Sequence, residues 1–334
     1  MISADATKPL LSVRRLQVHY PLRGLLPWRR RGPVRAVDDI QFDLHAGETL
    51  GIVGESGCGK STLARTLVGL QGASLGSIRY AGHELIGRTK KDWRPLRRDI
   101  QLVFQDPLGS LSPRMTLGNI VAEPLRALQP ELSAADRRAR ALAMLERVGL
   151  GPEHATRFPH ELSGGQGQRA GIARALIVNP KLLICDEPVS ALDVSVQAQI
   201  VNLLADLQRE QNLAMIFIAH DLAVVRQLAS RVLVMYLGKV MEQGRTEDIY
   251  GNPKHPYTRA LLAAAPVLET ASAKKTLRKL LRGDIPDPSH PPMGCVFHPR
   301  CPLAEHACVQ SIPQLRRVSG EQYAACHFVA AGNH

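Results

Sequence analysis

The sequence predicts an α/β protein whose core is a parallel sheet covered by helices on both faces. Two patterns carry that expectation. First, an apolar strand, Thr49 to Val53, runs into Gly54-Glu55-Ser56-Gly57-Cys58-Gly59-Lys60-Ser61-Thr62, and a helical pattern, Thr62 to Leu70, runs out of it. Second, strands at 181–185, 213–219 and 231–236 alternate with helical stretches at 195–210 and 221–229. Strands joined through helices pair in parallel, with the helices packed on the sheet faces. A third pattern interrupts the sheet. Turn-rich residues 106–116 precede helical patterns at 117–128 and 133–148, which predicts a helical insertion.

Taken in order, residues 10–20 alternate through Leu11, Val13, Leu16 and Val18 and end at Tyr20, the period of a half-buried strand. Residues 21–34 hold Gly24, Pro27, Gly32 and Pro33 and read as a loop, carrying Arg23, Arg29, Arg30 and Arg31 around Leu25, Leu26 and Trp28. A strand pair at 34–44 and 48–53 follows. Residues 76–104 read as short strands and a basic turn, running out through Ile100-Gln101-Leu102-Val103-Phe104-Gln105. The helix at 133–148 opens with Ser133 and Asp136 at capping-box spacing and stops at Gly149. Ser163-Gly164-Gly165-Gln166 starts a helix over 166–178. A helical segment at 256–264 ends the compact part. Residues 265–282 set Lys274, Lys275, Arg278, Lys279 and Arg282 beside Leu277, Leu280 and Leu281, a solvated helix face or a contact for anionic lipid. Residues 283–294 are proline-rich and read as an extended linker.

Bulk composition narrows the function classes. With 334 residues, 45% of them hydrophobic, the chain can bury a large core. No apolar run approaches the roughly 18 residues a spanning helix needs. Residues 1–15 lack the apolar core of a signal peptide, which predicts a cytoplasmic location. A formal charge of +12 favours nucleic acid or an anionic membrane surface as neighbour without choosing between them.

The stretch 54–62 fits G-x-x-x-x-G-K-[ST] in the strand–loop–helix context that motif needs. Its glycines let backbone N–H groups turn inward around a phosphate, and the helix start adds partial positive charge there. Lys60 can reach β- and γ-phosphates, and the Ser61 hydroxyl is placed for Mg²⁺. Leu182-Leu183-Ile184-Cys185-Asp186-Glu187 delivers two carboxylates at the end of a buried strand, where open α/β sheets bind ligands. Asp186 suits Mg²⁺; Glu187 could polarise an attacking water. Ser163-Gly164-Gly165-Gln166 is a second phosphate-directed element, about a hundred residues away. One nucleotide does not obviously need both. A nucleotide shared between two chains would.

Together these pieces resemble the nucleotide-binding subunits of ABC transporters over about residues 10–264, with a helical subdomain near 107–165 and an antiparallel β subdomain beside the ATP-binding sheet. The resemblance makes 54–62 the Walker A loop, Gln105 the Q-loop, Leu162 to Gln166 the signature and 182–187 Walker B. Ser190 to Asp193 is the D-loop by the same likeness, His220 the switch histidine and Tyr20 the aromatic stacked on adenine. Before that likeness is invoked, an aromatic at a strand end such as Tyr20 is more often a core residue. The likeness implies catalytic roles for Glu187, His220 and Gln105, and Mg²⁺ held by Ser61, Gln105 and Asp186. It implies ATP contacts from Gly54, Ser56 to Thr62, Ser163 to Gln166 and Asp193. Gly167 departs from the family's usual Arg, Lys or Gln, and Gly171 from a common Ala.

Finer matches are Asp106-Pro107-Leu108-Gly109-Ser110-Leu111-Ser112-Pro113-Arg114, Glu187-Pro188-Val189-Ser190-Ala191-Leu192-Asp193-Val194-Ser195, His255-Pro256-Tyr257-Thr258 and the tail Gly294-Cys295-x-Phe297-His298-Pro299-Arg300-Cys301-Pro302. They are similar to the dipeptide/oligopeptide importer ATPases, most of all to the second ATPase subunit type. Such likeness implies a paralogous ATPase partner, two membrane permeases, a periplasmic binding protein acting indirectly, no nucleic acid, and a peripheral place on the cytoplasmic face of the inner membrane. Nickel, opines or a peptide antibiotic are alternative solutes, and a nucleic-acid-associated ATPase is a more distant alternative.

Cys295, Cys301, Cys308 and Cys326 form a cysteine-rich extension over 295–330, beyond the 265–294 linker. Soft thiolates suit zinc or an iron–sulfur cluster. Their gaps are wider than ribbon-type zinc sites use, and His298 and His327 add nitrogen donors. Similar tails in peptide-importer ATPases are associated with a [4Fe–4S] cluster; zinc and no metal remain open.

Overall fold

The computed structural model describes residues 8–21, 33–264 and 284–329. The arginine-rich part of the loop after Tyr20 and the basic stretch 265–282 lie outside the described residues.

Two sheets organise the chain. β1 (Leu11–Tyr20), β2 (Val34–Leu44), β4 (Leu75–Tyr80) and β5 (His83–Glu84) form an antiparallel sheet in the order β2-β1-β4-β5. The second sheet has eight strands. Its parallel part is β9 (Arg231–Tyr236), β3 (Thr49–Val53), β8 (Ala214–Ala219), β7 (Leu182–Asp186) and β6 (Ile100–Val103), side by side in that order. Beyond β9 the sheet turns antiparallel through β10 (Lys239–Arg245), β12 (Gln322–Ala324) and β11 (Arg316–Ser319). The expected parallel sheet is therefore its centre and one flank.

Strand periodicity sorts the core into two layers. Successive side chains of a strand point to opposite faces. In β7, Leu182 and Ile184 join the cluster that packs under the antiparallel sheet, with Leu11, Val13, Leu16 and Val18 of β1. Leu183 and Cys185 join the other cluster, with the helical insertion. β8 divides the same way: Ala214, Ile216 and Ile218 on one side, Met215, Phe217 and Ala219 on the other. Both faces are buried, so these strands read as continuous apolar runs. Each buried Leu, Ile or Phe contributes about 1.5–3 kcal/mol of transfer free energy.

The helices sit close to their expected places. α1 (Lys60–Leu67) begins and ends earlier than the 62–70 pattern. α3 (Leu117–Leu128), α4 (Ala134–Arg147) and α5 (Gly164–Leu176) form the helical unit, α4 capped by Ser133, whose hydroxyl accepts from the Asp136 N–H at 3.1 Å. α6 (Val194–Gln211) spans the predicted helix, while α7 (Leu222–Val225) is shorter than 221–229. The basic turn expected before residue 100 is instead α2 (Lys90–Asp99). A reciprocal Thr89–Asp92 capping box starts it, and its buried residue is Trp93. α8 (Thr246–Gly251) was not anticipated; α9 (Pro256–Ala264) was.

The cysteine-rich tail lies against the main body. Phe297 is fully buried in the same core cluster as the helical insertion, and β12 pairs with β10 through Glu242–Ala324 and Gln243–Tyr323. A short helix, α10 (His306–Gln310), carries the buried Cys308.

Candidate nucleotide-binding and hydrolysis site

Neighbouring strands β3, β8, β7 and β6 end at one edge of the sheet, and each delivers a predicted residue there. β3 runs into the 54–62 loop, β8 ends before His220, β7 ends at Asp186 and β6 before Gln105.

The loop is gripped from behind. Gly54 has φ +157, and a Cβ there would lie 2.2 Å from the Met235 carbonyl oxygen. Gly59 has φ +104, and a Cβ there would lie 1.9 Å from the Ala36 carbonyl oxygen. Only glycine permits that backbone shape and that approach. The Cys58 side chain is buried, and burial pushes its thiol pKa up. Ser56 and Gly57 are exposed at the tip. Lys60 is 3% exposed, and its ammonium donates to the carbonyls of Gly54 at 2.7 Å and Glu55 at 3.1 Å. A cavity beside the loop is lined by Ser56, Lys60, Thr62, Gln105, Glu187 and, from the proline-rich stretch, Pro288.

The carboxylates converge on the same place. The Ser61 hydroxyl donates to Asp186 Oδ1 at 2.9 Å. Burial raises the Asp186 pKa, opposed by the Ser61 hydrogen bond and by Arg65 and Lys60. A buried carboxylate held up in this way favours a cation as partner. Glu187 has φ +46, and its N–H donates to the Ile218 carbonyl at 3.0 Å. Its carboxylate stands 3.4 Å from the Lys60 ammonium, accepts from Gln105 Nε2 at 3.1 Å, and faces His220 Nδ1 at 3.9 Å. Asp186 and Ser61 thus offer hard oxygen donors of the kind Mg²⁺ takes. Glu187, Gln105 and His220 form a second group able to orient a water and hold its proton.

The other predicted residues lie elsewhere. Ser163 caps α5: its hydroxyl accepts from the Gln166 N–H at 3.3 Å, and Gln166 Oε1 accepts from the Ser163 N–H at 3.0 Å. Ser163, Gly164 and Asp193 are exposed, Gly165 and Gln166 half-exposed, and none of the five lines the cavity. Tyr20 packs half-buried against the antiparallel sheet's core and pairs with Val34, which does line it. Gly167 has a physical reason: a Cβ there would meet Leu108 Cδ2 at 2.7 Å, so the glycine admits the segment after Gln105. Nothing in the structure explains Gly171.

Sequence reasoning missed the outer support of the loop. The Glu55 N–H donates to the Tyr257 hydroxyl at 3.0 Å. Arg300 forks onto the Glu55 carboxylate, Nη1 to Oε2 at 2.5 Å and Nη2 to Oε1 at 3.0 Å. His255-Pro256-Tyr257 and the tail stretch holding Arg300 were legible motifs; nothing in either joined Arg300 to Glu55, 245 positions away.

The four tail cysteines are free thiols, near enough that Cys308, Cys301 and Cys326 each help raise the Cys295 pKa, although burial dominates and takes it to about 11. Among the described residues, no group of three or more His, Cys, Asp or Glu side chains is drawn tightly enough to hold a metal ion as arranged.

Comparison with known proteins agrees with this geometry. The family described as ABC transporter matches residues 37–190, and the family described as oligopeptide/dipeptide transporter, C-terminal region, matches 241–308. The chain is 53% identical to the oligopeptide transport ATP-binding protein OppF of Escherichia coli, over 93% of this chain and 94% of that one. It is 47% identical to the oligopeptide transport ATP-binding protein AppF of Bacillus subtilis, over 98% and 99%. Among solved structures, the dimeric post-hydrolysis state of the ATP-binding cassette MJ0796 bound to ADP and Pi overlays with a TM-score of 0.64 at 29% identity, covering 71% of this chain and 98% of that one. By fold, by the convergence of its loops and by identity along nearly its whole length, the chain belongs to the ATP-hydrolysing subunits of ABC transporters, in the oligopeptide and dipeptide branch.

Proposed function

We propose that this ATPase drives import of short peptides, seated as a peripheral subunit on the cytoplasmic face of the inner membrane beneath two permeases. Its counterpart is a paralogous ATPase, and a periplasmic binding protein supplies solute without touching this chain. The observation that carries the reading is the separation of two phosphate-directed elements. Lys60, Ser61, Gln105 and Glu187 line one cavity, with Asp186 bonded to Ser61 and His220 facing Glu187, while Ser163 to Gln166 and Asp193 face outward without contacting that group. An outward helix N-terminus with exposed N–H groups suits the γ-phosphate of a nucleotide held by another chain. Two ATP molecules would then join the subunits, and hydrolysis would release them. Peptide as solute rests on the names of the relatives.

In this reading Lys60 and the 54–62 backbone hold the phosphates. Ser61 and Asp186 hold Mg²⁺, Gln105 contacting it as well. Glu187 accepts a proton from the attacking water, with His220 beside it. Tyr20 serves the adenine ring.

The four tail thiols are read as ligands of a [4Fe–4S] cluster. This reading rests on the resemblance of the tail to those of peptide-importer ATPases and on the mutual influence of the four thiols. Burial disfavours bare thiolates here, and a metal group would reverse that. Arg300 Nε, next in sequence to Cys301, is buried without a partner, as a donor near added sulfur could be. The role read for the cluster is a staple that keeps the tail folded. Iron and sulfide assay with visible absorbance, on anaerobically purified protein, tests it; a colourless, iron-free preparation refutes it.

The transport reading is tested in proteoliposomes holding both permeases, the partner ATPase and the binding protein. ATP-dependent accumulation of a labelled tripeptide, lost with Lys60→Ala, is the expected result. ATP hydrolysis answering to DNA or RNA, and not to peptide-loaded binding protein, would overturn it.

A further inference from the structure

Glu55 is the second residue of the phosphate loop, and its backbone and side chain are both held by residues that follow the parallel sheet in the chain. The Tyr257 hydroxyl takes its N–H, and Arg300 takes its carboxylate with two parallel bonds. The Arg300 side chain is only 5% exposed and that of Glu55 20%. Arg300 also lies 5.8 Å over the Tyr236 ring. Tyr236, Tyr257 and Phe297 form one aromatic cluster, with centroids 4.8, 5.2 and 5.4 Å apart. Phe297 and Arg300 stand between Cys295 and Cys301 in sequence. A fork bonded to both oxygens of a carboxylate fixes its orientation more tightly than one contact would. Losing one member of a buried pair also leaves the other charge uncompensated.

We propose that Arg300 is a positioning residue for nucleotide binding: the cysteine-flanked segment 295–301 braces the phosphate loop through Glu55, so ATP affinity depends on the tail. Arg300 does not line the cavity beside the loop. It sets the rotamer of Glu55 and, through it, the entry of the loop. Whatever holds the segment folded, thiols or a group bound to them, thereby reaches the phosphates through two side chains. The inference rests on the reading of 54–62 as the ATP loop.

The test uses the full chain purified with its transporter partners and measures Kd for a fluorescent ATP analogue, KM and kcat for ATP, and the melting temperature without nucleotide. Arg300→Gln and Glu55→Gln should each raise Kd and KM about tenfold with kcat little changed. The double variant should be no worse than the weaker single, since both remove one interaction. Arg300→Lys should recover part of the loss. Should Arg300→Gln fail to fold, Glu55→Gln, outside the tail, carries the test alone. Wild-type Kd in Glu55→Gln overturns the proposal, as does a Kd rise seen only where the protein melts below the assay temperature. Lys60→Ala separates the two readings: retained binding there removes the ATP loop itself, whereas lost binding there with wild-type Glu55→Gln removes only the brace.

Discussion

Ser61 and Asp186 lie 125 positions apart in the chain and meet in a 2.9 Å hydrogen bond at the edge of the central sheet. The bond joins the helix that follows β3 to the end of β7; β3 and β7 are not neighbours, since β8 lies between them. Asp186 is buried, and its pKa is raised above that of the unfolded chain. A raised carboxylate favours the folded state only while protonated. Stability falls as pH climbs from the unfolded pKa through the folded one and stays lowered at neutral pH. Asp186→Asn should therefore raise the melting temperature of the nucleotide-free protein, by about 2–4 °C per kcal/mol relieved. It should also abolish Mg²⁺-dependent hydrolysis. Differential scanning fluorimetry and a phosphate-release assay read the two effects; a lower melting temperature would contradict the account.

Glu187 should separate binding from chemistry. Its carboxylate faces Lys60, Gln105 and His220. Glu187→Gln keeps the shape and the Gln105 contact but removes the carboxylate proposed to take the water's proton, so ATP turnover should fall about 10²–10⁴-fold. Nucleotide affinity should stay within a few-fold of wild type. Light scattering with ATP should show a lasting closed dimer.

The two unusual glycines of α5 should behave oppositely. At Gly171 a Cβ would meet no atom within 4 Å, so Gly171→Ala should stabilise by about 0.5–1 kcal/mol, read from urea midpoints. At Gly167 the new methyl would strike the end of Leu108. Gly167→Ala should therefore gain nothing in stability and should move the segment after Gln105, visible as altered protease sensitivity near Leu108.

His255 predicts an acid-sensitive tail joint. It is fully buried, its Nδ1 accepts from the Tyr257 N–H at 3.0 Å, and burial takes its pKa down to about 3. The unfolded chain then binds the proton first. Its contribution is present above about pH 6.5 and drains away as pH falls toward 3. At about 1.4 kcal/mol per pH unit, the loss between pH 6.5 and 5 is about 2 kcal/mol. His255→Gln should flatten that part of the stability profile, measured by urea unfolding at stepped pH.

Much of the site was legible because its chemistry is local. A glycine loop between a strand and a helix, and two carboxylates ending another strand, announce themselves within nine residues. The parallel sheet followed from strand–helix alternation. What escaped depends on distance or on weak patterning. α2 reads as a basic turn because it is rich in Lys and Arg, contains Pro95 and buries chiefly Trp93, although its Thr89–Asp92 cap was visible. β11 and β12 are four and three residues long, too short to show alternation. Glu55 and Arg300 each stood in a legible motif, but their pairing spans 245 positions and nothing local to either announces it.

The hairpin of β11 and β12 has a consequence for solubility. Without it, β10 would present open backbone groups at Glu242 and Gln243, a ready template for another chain's strand. With it, the eight-stranded sheet finishes on a four-residue strand bearing the exposed Arg316 and Arg317, a poor template for stacking. Trimming the tail for expression should therefore yield protein that clumps, even where every ATP-contacting residue is intact.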